Sequence, residues 1–200
     1  MERLQSTSSL IVSQKKEWGE ILTSFETKNK YEISDADSQS IYLAAEDGGS
    51  MLLRWFLKGL RPFTMVVLGQ DGREVLRAIR PFRFYFHQIE VVDAQGISLG
   101  SIERRFAFLR RKYSVLDPTG NEIYQLFGPI LHPWTFRIMS DETEHGQITK
   151  KWSGLLKESF TDADNFGVVY PQHWSIKLKA LFLGAVFLID FVHFENKGNS

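Results

Sequence analysis

Residues 180–194 read ALFLGAVFLIDFVHF, and the first ten of them carry no charge and no strongly polar group. No other segment of the chain is so uniformly apolar. A helix that is apolar all round must be enclosed, by protein or by lipid. At about 1.5 Å per residue the ten uncharged residues span about 15 Å and the whole stretch roughly 22 Å, against about 30 Å of bilayer hydrocarbon. Asp190 and His193 fall inside that stretch, and charge within a membrane is costly. The length is that of a buried core helix rather than a spanning one. The reading is a single helix over residues 176–194, with Leu181, Leu183, Val186, Phe187 and Ile189 nearly fully buried. Asp190 lies near the helix C-terminus, where the dipole favours cations. Buried there, it requires hydrogen bonds from a Lys, Arg, Trp or backbone N–H near the end of a strand.

What precedes the helix supplies the enclosure. Sixteen Phe and an aromatic fraction of 14% suggest a β-rich, well-filled interior. Residues 10–14 read as a first strand, 15–22 as a short helical turn and 51–60 as a short helix. Residues 31–33 and 41–45 flank an Asp-rich turn and form a hairpin. Beyond Pro62 the chain reads as strands cut by turns at 70–72, 93–96, 117–120 and 141–146, where Asp bonds its own backbone and Gly takes the positive φ. Gly72, Glu74 and Pro81 recur as Gly120, Glu122 and Pro129 at an offset of 48, as Asp93 does at Asp141. That repeat suggests two related pairs of hairpins. Antiparallel strands followed by one apolar helix suggest a closed barrel with the helix through its middle, because closure removes the sheet edges.

Net charge is zero, so no global field draws nucleic acid, and any attraction to anionic surfaces must be local. The chain has no Cys, which excludes disulfides, thiolate metal sites and S-palmitoylation and fits a reducing compartment. Arg104, Arg105, Arg110, Arg111 and Lys112 lie within nine residues, interleaved with Phe106, Phe108 and Leu109. Basic plus aromatic composition suits a phosphate-rich surface such as anionic lipid. Lys150, Lys151 and Trp152 form a smaller patch of the same kind. Around residues 161–167, Asp162, Asp164 and Gly167 stand at the first, third and sixth positions of a calcium loop, but Phe166 holds the fifth and His173 the twelfth, where a bidentate carboxylate is required. Any calcium site here is weak. The five His share no metal-ligand spacing, and neither a phosphate loop nor a nucleophile elbow is present. Nothing in the sequence argues for an enzyme.

The sequence also resembles the phospholipid scramblase family, whose fold is similar to the tubby and LURP-one-related domains. The resemblance is carried by NKYEI at 29–33, the two Arg-Pro-Phe steps at 61–63 and 80–82, Gly128-Pro129, KWSG at 151–154, residues 161–167, and residues 179–191 with Phe194-Glu195. It implies a mainly β fold, a closed antiparallel barrel of about twelve strands around a buried C-terminal helix. It also implies ATP-independent, calcium-linked movement of phospholipids between leaflets. The family's calcium segment falls on Asp162, Asp164, Phe166, Val168 and Tyr170, with His173 in place of a carboxylate.

These readings combine into a flexible tail at 1–9, one domain at 10–195 and a short tail at 196–200. The expected partners are phospholipid membrane and anionic headgroups, without nucleic acid, for a monomer at the cytoplasmic side of a membrane or soluble in the cytoplasm. The alternative function is a soluble module that binds headgroups, or another partner, through the basic cluster without scrambling. The helix of Ala180, Leu181, Phe182, Leu183, Gly184, Val186, Phe187, Leu188, Ile189 and Asp190 is then either core or membrane segment.

Overall fold

Period-two burial is written into the strands. In the first, β1 (Ser9–Gln14), Leu10 and Val12 are fully buried and their neighbours are not. The computed structural model describes residues 1–15, 29–47, 61–108, 110–150 and 165–194. Within them run β2 (Lys30–Ser34), β3 (Ser40–Asp47), β4 (Phe63–Gly69), β5 (Glu74–Arg80), β6 (Gln88–Asp93), β7 (Ser98–Arg105), β8 (Arg111–Leu116), β9 (Glu122–Gly128), β10 (Thr135–Ser140), β11 (Thr143–Lys150) and β12 (Asn165–Val169). Each strand pairs antiparallel with the next, and β1 pairs with β12, so the twelve close into a barrel. The closing seam sets Leu10 opposite Val168 and Val12 opposite Phe166, inward positions on both strands.

The interior is filled by α1 (Ile176–His193). Ser175 caps it, accepting a hydrogen bond from the Leu178 N–H. Every residue from Lys179 through Phe191 is buried, as the all-round apolar run requires. Among the described residues no helix is long and apolar enough to cross a membrane. The helix lies close against the wall at Gly184, where an added Cβ would stand 2.4 Å from Cγ2 of Val91 on β6.

Four hairpin turns share one geometry. The first residue's N–H bonds the carbonyl four residues on, and the fourth residue takes a positive φ: Ser38 at 61°, Gly72 at 76°, Gly96 at 81° and Gly120 at 89°. In three of them an Asp side chain (Asp35, Asp93 or Asp117) accepts from the N–H groups two and four residues ahead. The turn repeats at every second connection from β2–β3 through β8–β9, 24 residues apart over the last three, so the offset of 48 is two such steps rather than a doubled pair. The β10–β11 connection is shorter than expected: Asp141 and Glu142, both at positive φ, turn the chain alone.

The expected flexible tail at 1–9 is instead folded. Residues Glu2–Leu4 make a short 3₁₀ turn and Leu4 is fully buried. The cause is Lys179, whose buried ammonium donates to the carbonyls of Leu4 (3.0 Å), Gln5 (2.9 Å), Thr7 (2.7 Å) and Gln172 (2.8 Å). A lysine in the first helical turn opposes the dipole, and these oxygens offset that by solvating it. Burial still pushes its pKa down. Of the expected helical turn at 15–22 all but Lys15 lies outside the described residues, as do the expected helix at 51–60 and the tail at 196–200.

Candidate functional site

Up-and-down topology sorts the connections onto two ends. The tight turns, residues 1–8 and the start of α1 lie at one end; the loops 81–87 and 129–134, residues 106–108 and 110 of the β7–β8 connection and the C-terminus of α1 lie at the other. Asp35, Asp37, Asp71, Asp93, Asp117 and Asp141 all sit at the turn end. The three named loops contain no Asp or Glu. Within a chain of zero net charge, this arc of the loop end is thus basic and the turn end carries a row of Asp.

Inside the loop-end mouth, charges surround the end of the helix. Arg61 and Glu46 form a buried two-pronged ion pair, and Asn29 donates to Glu46 Oε2 at 2.8 Å. Arg80 donates to the Arg61 carbonyl and, at 2.6 Å, to Nδ1 of His87. Both guanidinium groups lie over the Phe191 ring, at 5.0 Å for Arg61 and 4.5 Å for Arg80. Cations are favoured at this end of a helix, and an aromatic face adds to the attraction. Burial first, then the charges of Arg80 and Arg104, lower the His87 pKa to about 4. Asp190, expected to need donors, receives one from the Tyr31 hydroxyl at 2.6 Å and another from Lys150, at the end of β11, at 3.3 Å.

The five cations of the basic cluster come to this rim in different roles. Arg104 pairs across the ladder with Tyr113, an inward residue, so it faces the mouth and is half-buried. Arg105 and Lys112 are paired on the outer face; Arg105 also bonds Ser114 (2.9 Å) and Glu103 (3.3 Å). Arg110 is exposed, with its guanidinium 5.6 Å from the Phe127 ring. Arg111 is committed to the fold: it donates to the carbonyls of Pro133 (2.6 Å) and Pro129 (3.3 Å) and lies over Phe136. It latches the 129–134 loop to the rim.

A match to the Scramblase family profile extends over residues 1–196. The chain belongs to the Scramblase family. Relatives include phospholipid scramblase 1 of Mus musculus, 35% identical over 100% of this chain and 65% of that protein. Phospholipid scramblase 2 of Bos taurus is also 35% identical, over 98% of this chain and 71% of that protein. This Scramblase chain spans less than two thirds of the length of the mouse relative. An Arabidopsis thaliana protein of known crystal structure shares the fold with a TM-score of 0.51 at 11% identity, covering 92% of this chain and 90% of that one.

The described part of the family's calcium segment does not fit a cation. Phe166 and Val168 face the barrel interior at 1% and 0% exposure, and the β12 backbone pairs with both β1 and β11. Tyr170 is buried, stacked on Trp174 and hydrogen-bonded to Thr7. His173 is exposed in the turn before α1, at the opposite end from the basic rim. Asp162 and Asp164 lie outside the described residues. Among the described residues no group of three or more His, Asp or Glu could hold a metal ion. Sequence reasoning missed the Arg61–Glu46 pair, the Arg80–His87 contact and the aromatic loop 81–87. For the last a signal was present, a run of Phe and Tyr beside Pro81 with no acid.

Proposed function

We propose that this chain moves phospholipids between the leaflets of a bilayer without ATP, working as a monomer at the cytoplasmic face. The single observation that carries the reading is an arc of three neighbouring connections, basic and without Asp or Glu, at one end of a closed barrel in a chain of the Scramblase family. The names of the relatives give the same direction: they are called phospholipid scramblases. A lipid headgroup crosses hydrocarbon slowly because polar and charged groups are costly there. Cations at the membrane surface bind lipid phosphate and lower the cost of drawing it out of its leaflet. Arg105, Arg110 and Lys112 are placed for that contact. Arg104 faces inward and Arg111 holds the loop. Lipid movement of this kind breaks no covalent bond. Calcium binding at 162–173 is weak on this reading, no tighter than about 1 mM, and no step is assigned to it.

The test is a dithionite assay on liposomes that carry a headgroup-labelled fluorescent lipid and the purified chain, with and without calcium. Bleaching beyond the outer-leaflet share in both conditions supports the proposal. Vesicle binding with bleaching confined to the outer leaflet supports the headgroup-binding alternative instead. Arg105→Ala combined with Arg110→Ala weakens binding to anionic vesicles by up to about 2 kcal/mol, and less in high salt.

A further inference from the structure

The loops at the basic end are apolar at their tips. Tyr85 and Phe106 are each 84% exposed, Phe108 81% and Leu131 88%. Among the described residues every large exposed apolar side chain except Ile97 belongs to these three loops, and Ile97 sits in a turn at the other end. Protein surfaces seldom expose contiguous apolar patches, and those that do mark interaction sites. The β5–β6, β7–β8 and β9–β10 hairpins are consecutive in the barrel, so their loops form one arc of the rim. At the usual strand spacing the arc is about 19 Å from first loop to last.

The bases of these loops are anchored while the tips are not covered. Arg111 holds 129–134 through its carbonyls, and Trp134 stacks on Phe194 at 5.4 Å. In 81–87, Arg83 bonds Gln88 at 2.9 Å, and Phe82 meets Phe84 edge-to-face at 4.8 Å. Folding therefore explains the roots of the loops and leaves Phe84, Tyr85, Phe106, Phe108 and Leu131 unexplained.

Charge identifies the partner. Arg83, Arg105, Arg110 and Lys112 lie beside the apolar tips, and the acidic turns lie at the far end. A negatively charged surface would attract this arc of the rim. Apolar tips collared by Arg and Lys match a bilayer in depth order, with acyl chains beyond phosphates. A groove for a peptide would be concave, whereas these are separate projecting loops.

We propose that loops 81–87 and 129–134, with residues 106–108 and 110 between them, form an end-on docking surface for an anionic phospholipid bilayer. Their Phe, Tyr and Leu tips enter the headgroup–acyl boundary, and the flanking Arg and Lys contact lipid phosphates. This rests on the reading of the chain as a phospholipid-handling protein, and it adds the residues and the orientation. It also gives α1 no need to leave the barrel: membrane contact comes from the rim, over a depth of about 5–10 Å typical of interfacial insertion. Spreading headgroups over an arc of this size thins the barrier that a lipid must cross.

The experiment uses the full chain and vesicles of phosphatidylcholine alone or mixed with phosphatidylserine. Because the chain has no Cys, Phe108→Cys, Leu131→Cys and Ile97→Cys each give one thiol for an environment-sensitive dye. Dye at 108 and 131 is expected to shift to the blue on mixed vesicles, and dye at 97 is not. Phe106→Ser with Phe108→Ser and Leu131→Ser is expected to lose binding by about 30-fold or more, and Ile97→Ser to bind as the parent. Equal binding by the triple variant, a blue shift at 97 equal to that at 108, or no vesicle binding by the parent chain (the mark of a protein partner) would overturn the docking surface. If the triple variant still scrambles at the parent rate in the dithionite assay, the docking surface fails and the lipid-moving function stands. If the parent docks through these loops but does not scramble, the function fails and the docking surface stands.

Discussion

The Tyr31 hydroxyl donates a 2.6 Å hydrogen bond to Oδ2 of Asp190, joining the second strand to the end of the buried helix across 159 residues. Tyr31 is 4% exposed and its ring also packs on Phe187 at 5.4 Å. The pair fixes how deeply the helix sits. Tyr31→Phe keeps the packing and removes the donor, so it is expected to lower unfolding stability by about 1 kcal/mol. Urea denaturation of the two proteins measures this; equal midpoints would show that the bond does not position the helix.

Gly184 sets how closely helix and wall approach. In Gly184→Ala the new methyl meets Val91, a β-branched side chain with little rotamer freedom. Overpacking minus the gain in helix propensity leaves a net loss of about 1–2 kcal/mol. Val91→Ala makes room, so the double variant is expected to be more stable than the sum of the single losses by at least about 0.5 kcal/mol. Strict additivity in a double-mutant cycle would contradict the contact.

The helix and most turns were readable because their signals are local. An uninterrupted apolar run demands enclosure, and Asp–Gly spacing writes a turn. The first hairpin shows the limit: its turn has the same geometry, but the positive φ falls on Ser38. The folding of residues 1–8 could not be read, because it depends on Lys179 reaching back over more than 170 residues to the carbonyls of Leu4, Gln5 and Thr7. The mouth charges have the same cause, since Arg61 and Glu46 meet only once β3 and β4 pair. The sequence shows no Asp–Gly turn between 72 and 93, so 82–86 falls among the strands there; in the structure it is a loop with its rings in solvent. In the basic cluster, the sequence could not separate Arg111, which serves the fold, from Arg105 and Arg110, which are exposed.

Ser38 is also an opportunity. The equivalent position is Gly72, Gly96 or Gly120 in the other three turns. A non-glycine residue in the left-handed region carries a steric cost that Gly avoids. Ser38→Gly is therefore expected to raise stability by about 0.5–1 kcal/mol, after the extra chain entropy of Gly is counted. A lower melting temperature would mean that the serine has a role of its own.

His87 gives the mouth a pH dependence. Its folded pKa, about 4, lies below the ordinary 6.5 because of burial and of Arg80 and Arg104. The unfolded chain thus binds the proton more readily, and the neutral ring stabilises the fold above pH 6.5. That contribution is lost progressively as pH falls from about 6.5 through about 4. His87→Gln is expected to flatten the stability profile in this window while leaving the carboxylate-driven loss at lower pH. Parallel profiles for parent and variant would exclude His87 as the titrating group.

On the proposed surface-acting mode α1 stays inside the barrel throughout, and Asp190→Ala separates that arrangement from a membrane-spanning helix. If the helix is core, the substitution strips an acceptor from Tyr31 and Lys150. It then lowers stability by about 1–3 kcal/mol and leaves the division between vesicle-bound and free protein unchanged. If the helix spans the membrane, removing the charge favours insertion by roughly 2.5–3.5 kcal/mol. Denaturation and vesicle flotation of parent and Asp190→Ala side by side read both quantities. A less stable variant with the parent's flotation profile is the predicted result; a variant that moves into the membrane fraction with its fold intact would contradict the account.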